Sequence, residues 1–88
     1  MAVSVRSQPE IDVLHTASTV VLAGLESRFG LILSNKGSNP IYVAFGVDAT
    51  TAHLKIAAGA TLQIVDPPSD AINAIADTGT TKLNAVQW

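Results

Sequence analysis

The sequence has no cysteine, and this absence limits how so small a protein is stabilised. Without cysteine the chain has neither a disulfide framework nor a thiolate metal site. A chain of 88 residues makes one domain, and such a domain buries only about 60–65% of the surface of its unfolded form. Because disulfides are excluded, we expect the missing stability to come from association with further copies or with a partner.

Charge is also scarce. Charged residues make up 14% of the chain, against about 25% in an average globular domain. Hydrophobic residues make up 48%, and the mean hydropathy is +0.37. Part of the surface is therefore expected to be covered, either by other subunits or by a membrane.

Long apolar runs are missing, which argues against the membrane. The densest run, 20–25, ends at Glu26, whereas a spanning helix needs roughly 18 apolar residues. The N-terminal residues Arg6, Glu10 and Asp12 precede no apolar block, so they do not resemble a secretory signal. Net charge is −2 and the five basic residues are scattered, so we expect no nucleic-acid partner.

Alternating apolar positions are the main pattern that is present. The runs 29–33 and 41–45 flank a polar turn at 34–40, and this arrangement predicts a β-hairpin. Alternation along a strand places residues of each run on one common face. Phe29, Leu31 and Leu33 share one face of the first strand, and Ile41, Val43 and Phe45 share one face of the second.

Similar runs follow in the rest of the chain. Strands are predicted at 18–22, 53–56, 60–65 and 81–88, and 71–76 is either a strand or one helical turn. A helix over 11–25 is disfavoured because that segment is rich in β-branched residues. About seven short strands, spaced by roughly 8 to 12 residues, predict an all-β fold, a small antiparallel β-sandwich or barrel.

The first 17 residues differ from the remainder, being polar and interrupted by Pro9. We expect residues 1–17 to form an extended N-terminal arm on a sandwich domain of residues 18–88. The arm is either disordered or adds a strand, through Val3 and Val5, to its own sheet or to that of a neighbour.

Groups that could perform chemistry do not converge in the sequence. His15 and His53 belong to no known ligand or catalytic spacing, and no nucleophile elbow is present. Asp66, Asp70 and Asp77 leave calcium binding open as an alternative, but their spacing fits no EF-hand loop. We expect no enzymatic activity, no cofactor and no metal site.

Two aromatic residues with a polar atom, Tyr42 and Trp88, are the candidate interface residues of the domain. Tyr42 alternates with the predicted core positions Ile41 and Val43 and is therefore expected to point outward, where it either anchors an interface or covers a second sheet. Trp88 is expected either to close the end of the sandwich or to dock into a neighbouring subunit. Together with Val3 and Val5 they form the predicted interface set.

Four segments resemble small structural virion proteins of tailed bacteriophages. They are 28–35, with an arginine followed by a strand ending in Ser-Asn; 39–46, Asn-Pro-Ile-Tyr-Val-Ala-Phe-Gly; Ala71–Ala76 after the turn at Gly59; and the ending 79–88. The likeness covers residues 18–88 and leaves 1–17 outside.

The resemblance implies a jelly-roll-like β-sandwich that assembles as an oligomer on a phage particle. It implies first a head decoration, or cement, protein bound to the major capsid protein on the capsid surface, with a homotrimer favoured by local threefold sites. Assembly would take place in the host cytoplasm, which suits a chain without cysteine. A tail or fibre adaptor is the alternative within the virion, and a carbohydrate-binding module is the alternative outside it.

Overall fold

The computed structural model describes residues 6–7, 10–24, 30–65 and 70–88, which form strands joined by turns and loops. No helix occurs in these ranges, so 71–76 contains a strand rather than a helical turn, and the all-β prediction is confirmed. The described residues form nine strands: β1 (Arg6–Ser7), β2 (Ile11–Val13), β3 (Thr19–Leu22), β4 (Gly30–Asn35), β5 (Ile41–Phe45), β6 (Leu54–Ile56), β7 (Thr61–Val65), β8 (Ile72–Ala76) and β9 (Thr81–Gln87).

These strands form two antiparallel sheets. In sheet A, β1 and β2 lie along one side of β9, followed by β4 and then β7. In sheet B the order is β3, β8, β5 and β6. Both sheets contribute buried side chains to one core, an arrangement compatible with a small β-sandwich.

The alternation within the strands agrees with the sequence pattern. Leu31 and Leu33 of β4, and Ile41 and Val43 of β5, are all buried, and Phe45 packs partly buried against the same core. Their equal spacing of two residues is what a strand with one face on a core requires. Phe29, which was assigned to the same face, lies outside the described residues.

The predicted hairpin between β4 and β5 is wrong. β4 pairs with β7 and β9 in sheet A, whereas β5 pairs with β6 and β8 in sheet B. The residues between them, 36–40, therefore connect one sheet with the other. Among the nine described strands, only β5 and β6 are sequential strands that are neighbours in one sheet.

Asn35, the last residue of β4, organises this connection. Its side chain is 1% exposed, and its Nδ2 donates to the carbonyl oxygens of Asn39 (2.9 Å) and Ile56 (3.0 Å). Its Oδ1 accepts from the backbone N–H of Gly37 at 3.0 Å, which is the tight turn that an asparagine side chain can close. The turn thus directs the chain away from sheet A, since Ile56 belongs to sheet B.

The predicted arm includes β1 and β2, and both pair with β9 of the same chain. Ile11 lies opposite Leu83, and Val13 lies opposite Thr81 and is fully buried in the core. Of the alternatives for residues 1–17, addition to its own sheet therefore holds for Arg6–Ser7 and Ile11–Val13. Val3 and Val5 lie outside the described residues, and the division at residue 17 stays a prediction.

Candidate interaction surfaces

The titratable residues singled out from the sequence do not form a common site. In the described ranges no three His, Asp or Glu residues lie close enough together to hold a metal ion. Asp70 and Asp77 stand before and after β8, so about 20 Å of extended chain separates them. Asp66 lies outside the described residues.

The two histidines are each bound within a separate turn region. His15 Nδ1 lies 3.2 Å from the carbonyl oxygen of Gly79. His53 Nδ1 accepts from the backbone N–H of Thr50 at 2.9 Å, and Thr50 Oγ1 lies 3.1 Å away. His15 thus joins the bend after β2 to the bend before β9, whereas His53 closes the short loop that begins at Thr50.

Sheet A presents an apolar surface on the side turned away from the core. Along β4 and β9 the odd-numbered residues are buried, so the even-numbered ones face outward, and in β7 the outward positions are the odd ones. In the register of the sheet, Ile32 lies between Gln63 and Val86, and Gly30 lies between Val65 and Trp88. We call Ile32, Val65, Val86 and Trp88 the sheet A patch. Val65 is 74% exposed.

Trp88 covers Gly30 across the strands. Trp88 and Gly30 exchange two backbone hydrogen bonds, of 3.0 and 3.1 Å, which continue the β4–β9 ladder. A Cβ atom at residue 30 would overlap the indole ring, so only glycine leaves room for the ring. An aromatic side chain over a strand glycine replaces the cross-strand contact that glycine lacks. Trp88 therefore packs on the outward side of its own sheet, and its predicted roles, closing the end of the sandwich or docking into a neighbouring subunit, stay predictions.

The other end of the same surface is polar. Ser34 Oγ and Thr61 Oγ1 lie 3.1 Å apart, and Lys82 donates to Asp12 in an exposed ion pair between β9 and β2. The hydrogen bond to Asp12, and then the charge of Asp12, raise the pKa of Lys82 above its ordinary value. The outward side of sheet A thus divides into a polar half and the apolar sheet A patch.

Tyr42 lies on the outward side of sheet B. It is half buried, alternates with the buried Ile41 and Val43, and stands between Ile75 of β8 and Lys55 of β6. This is the outward position expected from the sequence. The register therefore gives Tyr42 an apolar neighbour on one side and a cationic one on the other.

The loop 46–53 covers another part of sheet B. Asn73 of β8 donates from Nδ2 to the carbonyl oxygen of Val47, and the backbone N–H of Ala49 donates to Ser18 Oγ at 2.8 Å. Ala44 and Ala49 are both 3% exposed as a result. The loop is thus fastened both to a central strand and to the segment that leads into β3.

Ile32, Val65 and Val86 were not among the predicted interface residues. A signal was present, because the runs 29–33 and 60–65 place apolar residues on both sides of their strands. A strand with only one face on a core alternates between apolar and polar residues. Apolar residues on both faces indicate a second contact.

No known protein-family model and no curated protein matches this chain. None of the described residues forms a helix long and apolar enough to span a membrane.

Proposed function

We propose that this chain is a structural virion protein of a tailed bacteriophage, a cement protein that attaches to the outside of the head. The observation that carries the proposal is the sheet A patch, an apolar surface on the outward side of the sheet in which Ile32, Val86 and Trp88 are partly exposed and Val65 is 74% exposed. The sequence likeness of residues 18–88 to small virion proteins gives the class of partner, the major capsid protein. Binding, not catalysis, is the activity proposed.

Stabilisation in this proposal requires only differential binding. A ligand that binds the assembled, expanded shell and not its separate subunits shifts the equilibrium toward the assembled state. The contact uses the sheet A patch, because apolar area removed from water is the main source of association free energy. The polar half of the same surface, with Asp12 and Lys82, would lie at the rim.

The finer structural features of the proposal are a jelly-roll-like sandwich and a homotrimer at local threefold sites. Connections that cross repeatedly from one sheet to the other support the jelly-roll-like sandwich, since jelly rolls are built from such Greek-key connections. The low charge of the chain supports association in general. The choice of three subunits per oligomer comes from the local threefold symmetry of capsid shells.

The decisive experiment adds the purified protein to expanded heads that lack it and measures sedimentation with the heads and location by electron microscopy. Val86→Lys, in the sheet A patch, is compared with Val20→Lys on sheet B, where Val20 is 62% exposed. We expect the first variant to lose about tenfold or more in head binding and the second to bind as the unchanged protein does. Circular dichroism shows whether each variant is folded.

Two results would contradict the proposal. Equal binding of both variants would remove the sheet A patch from the contact. Density at the tail tip and none on the shell would favour the tail or fibre adaptor instead.

A further inference from the structure

The four lateral edges of the two sheets differ in how they are protected. Exposed sheet edges invite pairing with other chains, and proteins usually blunt them with short strands, charges or bulges. β6 is three residues long and carries Lys55, and β3 is irregular between Val20 and Leu22. β2 is also three residues long and carries the exposed Asp12, paired with Lys82.

β7, the remaining edge, has none of these features. Its five residues are Thr61, Leu62, Gln63, Ile64 and Val65, with no charge and no proline, and its pairing with β4 is regular over all five. Within the described part of the chain β7 pairs on one side only. It is therefore the edge best suited to accept another strand.

The backbone groups on that edge alternate in direction. The N–H of Asn35 donates to the carbonyl oxygen of Ala60 at 2.9 Å, in the register that pairs Leu33 with Leu62 and Leu31 with Ile64. Because hydrogen-bonded positions recur at every second residue of an antiparallel ladder, Leu62 and Ile64 bond toward β4. Thr61, Gln63 and Val65 consequently direct N–H and C=O away from the sheet.

From this geometry we infer that β7 pairs antiparallel with β7 of a second copy, about a twofold axis at Gln63. This register places Gln63 opposite Gln63 of the other copy, and Thr61 opposite its Val65, all at hydrogen-bonding positions. About six backbone hydrogen bonds would form. On the core side Leu62 lies opposite Ile64, so the apolar layer continues from one copy into the next.

The absence of charge makes the register self-compatible. A twofold axis brings identical residues together, and like charges directly opposite would disfavour pairing. The strand is short, and its contact area falls below that of a standard stable interface. We therefore expect a monomer–dimer exchange that depends on concentration, not an obligate dimer.

This inference does not require the proposed attachment to a phage head. The twofold register predicts dimers of the free protein, whereas the resemblance implies trimers on the shell. Sedimentation velocity over a range of concentrations measures the stoichiometry. A chain that stays monomeric up to millimolar concentration overturns the inference and leaves the proposed head binding untouched.

Amide hydrogen exchange tests the alternation itself. In dilute protein the amides of Leu62 and Ile64 should be protected and those of Thr61, Gln63 and Val65 should exchange freely. In concentrated protein the second group should become protected as well. Association without added protection at these three positions places the contact elsewhere and overturns the inference.

A charge exchange at Gln63 tests the axis. Gln63→Glu and Gln63→Lys each place like charges opposite one another, so each alone should weaken self-association by about tenfold or more. An equimolar mixture should restore association, because it forms pairs of opposite charge. Thr51→Glu, in the exposed loop 46–53, is the control for added charge and should associate normally.

Gln63→Pro removes an outward N–H without removing a bond to β4, so the variant should stay folded and become monomeric. Unchanged association of this variant, with unchanged circular dichroism, would contradict the inference. The inference would also be contradicted if the unchanged protein were monomeric and Gln63→Pro abolished its head binding. In that case β7 would pair with a strand of the shell.

Discussion

The outward sides of the two sheets are covered in different ways. On sheet B the chain's own loop 46–53 crosses the strands, and it is held there by Asn73 and by Ser18. On sheet A a single side chain, Trp88, closes over Gly30, and the neighbouring Val65 stays exposed. A small chain can cover part of one sheet with a loop, whereas on the other sheet one aromatic ring covers a strand glycine and an apolar side chain stays exposed.

The largest expected effect concerns the residue that joins the two sheets. Asn35→Ala removes three hydrogen bonds and leaves the carbonyl oxygen of Ile56 without its buried partner. We expect a loss of about 3 kcal/mol in the free energy of unfolding, measured by urea denaturation. Asn39→Ala is the control, since the Asn39 side chain makes one bond, to Thr78, and should cost under about 1 kcal/mol. Equal costs would mean that Asn35 does not hold the sheets together.

Sheet A can be disturbed at its aromatic cover. Trp88→Ala should cost about 2 kcal/mol, because the half-buried indole leaves Gly30 uncovered. Gly30→Ala should also cost about 1–3 kcal/mol, because its Cβ overlaps the ring.

The double variant separates this contact from general destabilisation. Once the ring is absent, alanine at residue 30 should be neutral or mildly stabilising, since it also reduces the freedom of the unfolded chain. The costs of the two single changes should therefore not add. Additive costs in thermal unfolding would show that the ring and the glycine act independently.

Sheet B can be disturbed at the attachment of its loop. Asn73→Ala breaks the bond to Val47 but also removes a buried Oδ1 that has no partner, so the net cost should be about 1 kcal/mol. Hydrogen exchange at Ala49 should quicken while exchange at Gly30 in sheet A is unchanged. Equal quickening at both amides would show that the loop supports both sheets and not sheet B alone.

The smallest effect is expected from the ion pair at the polar end of sheet A. Asp12→Asn should lower stability slightly, and more at low salt than at high salt, because the pair is exposed. The pKa of Lys82 is raised in the folded state, so the pair's contribution is complete from neutral pH up to about pH 10, near the unfolded lysine pKa. It disappears as the pH rises through the folded pKa. A difference between the two proteins that persists above that pKa would contradict this assignment.

The positions of the strands were predictable because alternation is a local property. The runs 41–45, 60–65 and 81–88 contain β5, β7 and β9, whereas β4 begins within the run 29–33 and extends to Asn35 in the predicted turn. Tyr42 alternates with buried residues of β5, as the sequence predicted. The all-β class followed from the number and spacing of such runs.

The partners of the strands were not predictable. Alternation assigns each residue a face but does not say which strand lies beside it, so β4 and β5 were paired wrongly. Asn35 supports the observed pairing through one hydrogen bond to Ile56, a residue 21 positions away, and no local pattern in the sequence predicts such a bond. The cover over Ala44 likewise depends on contacts between the loop 46–53 and remote residues.

The central place of β9 in sheet A affects how the chain can fold during synthesis. β1, β2 and β4 all pair with β9, which is translated after the other eight described strands. Until residues 81–87 emerge from the ribosome, three earlier strands lack their neighbour, and nascent chains that stop short of this strand expose unpaired edges to aggregation and proteolysis.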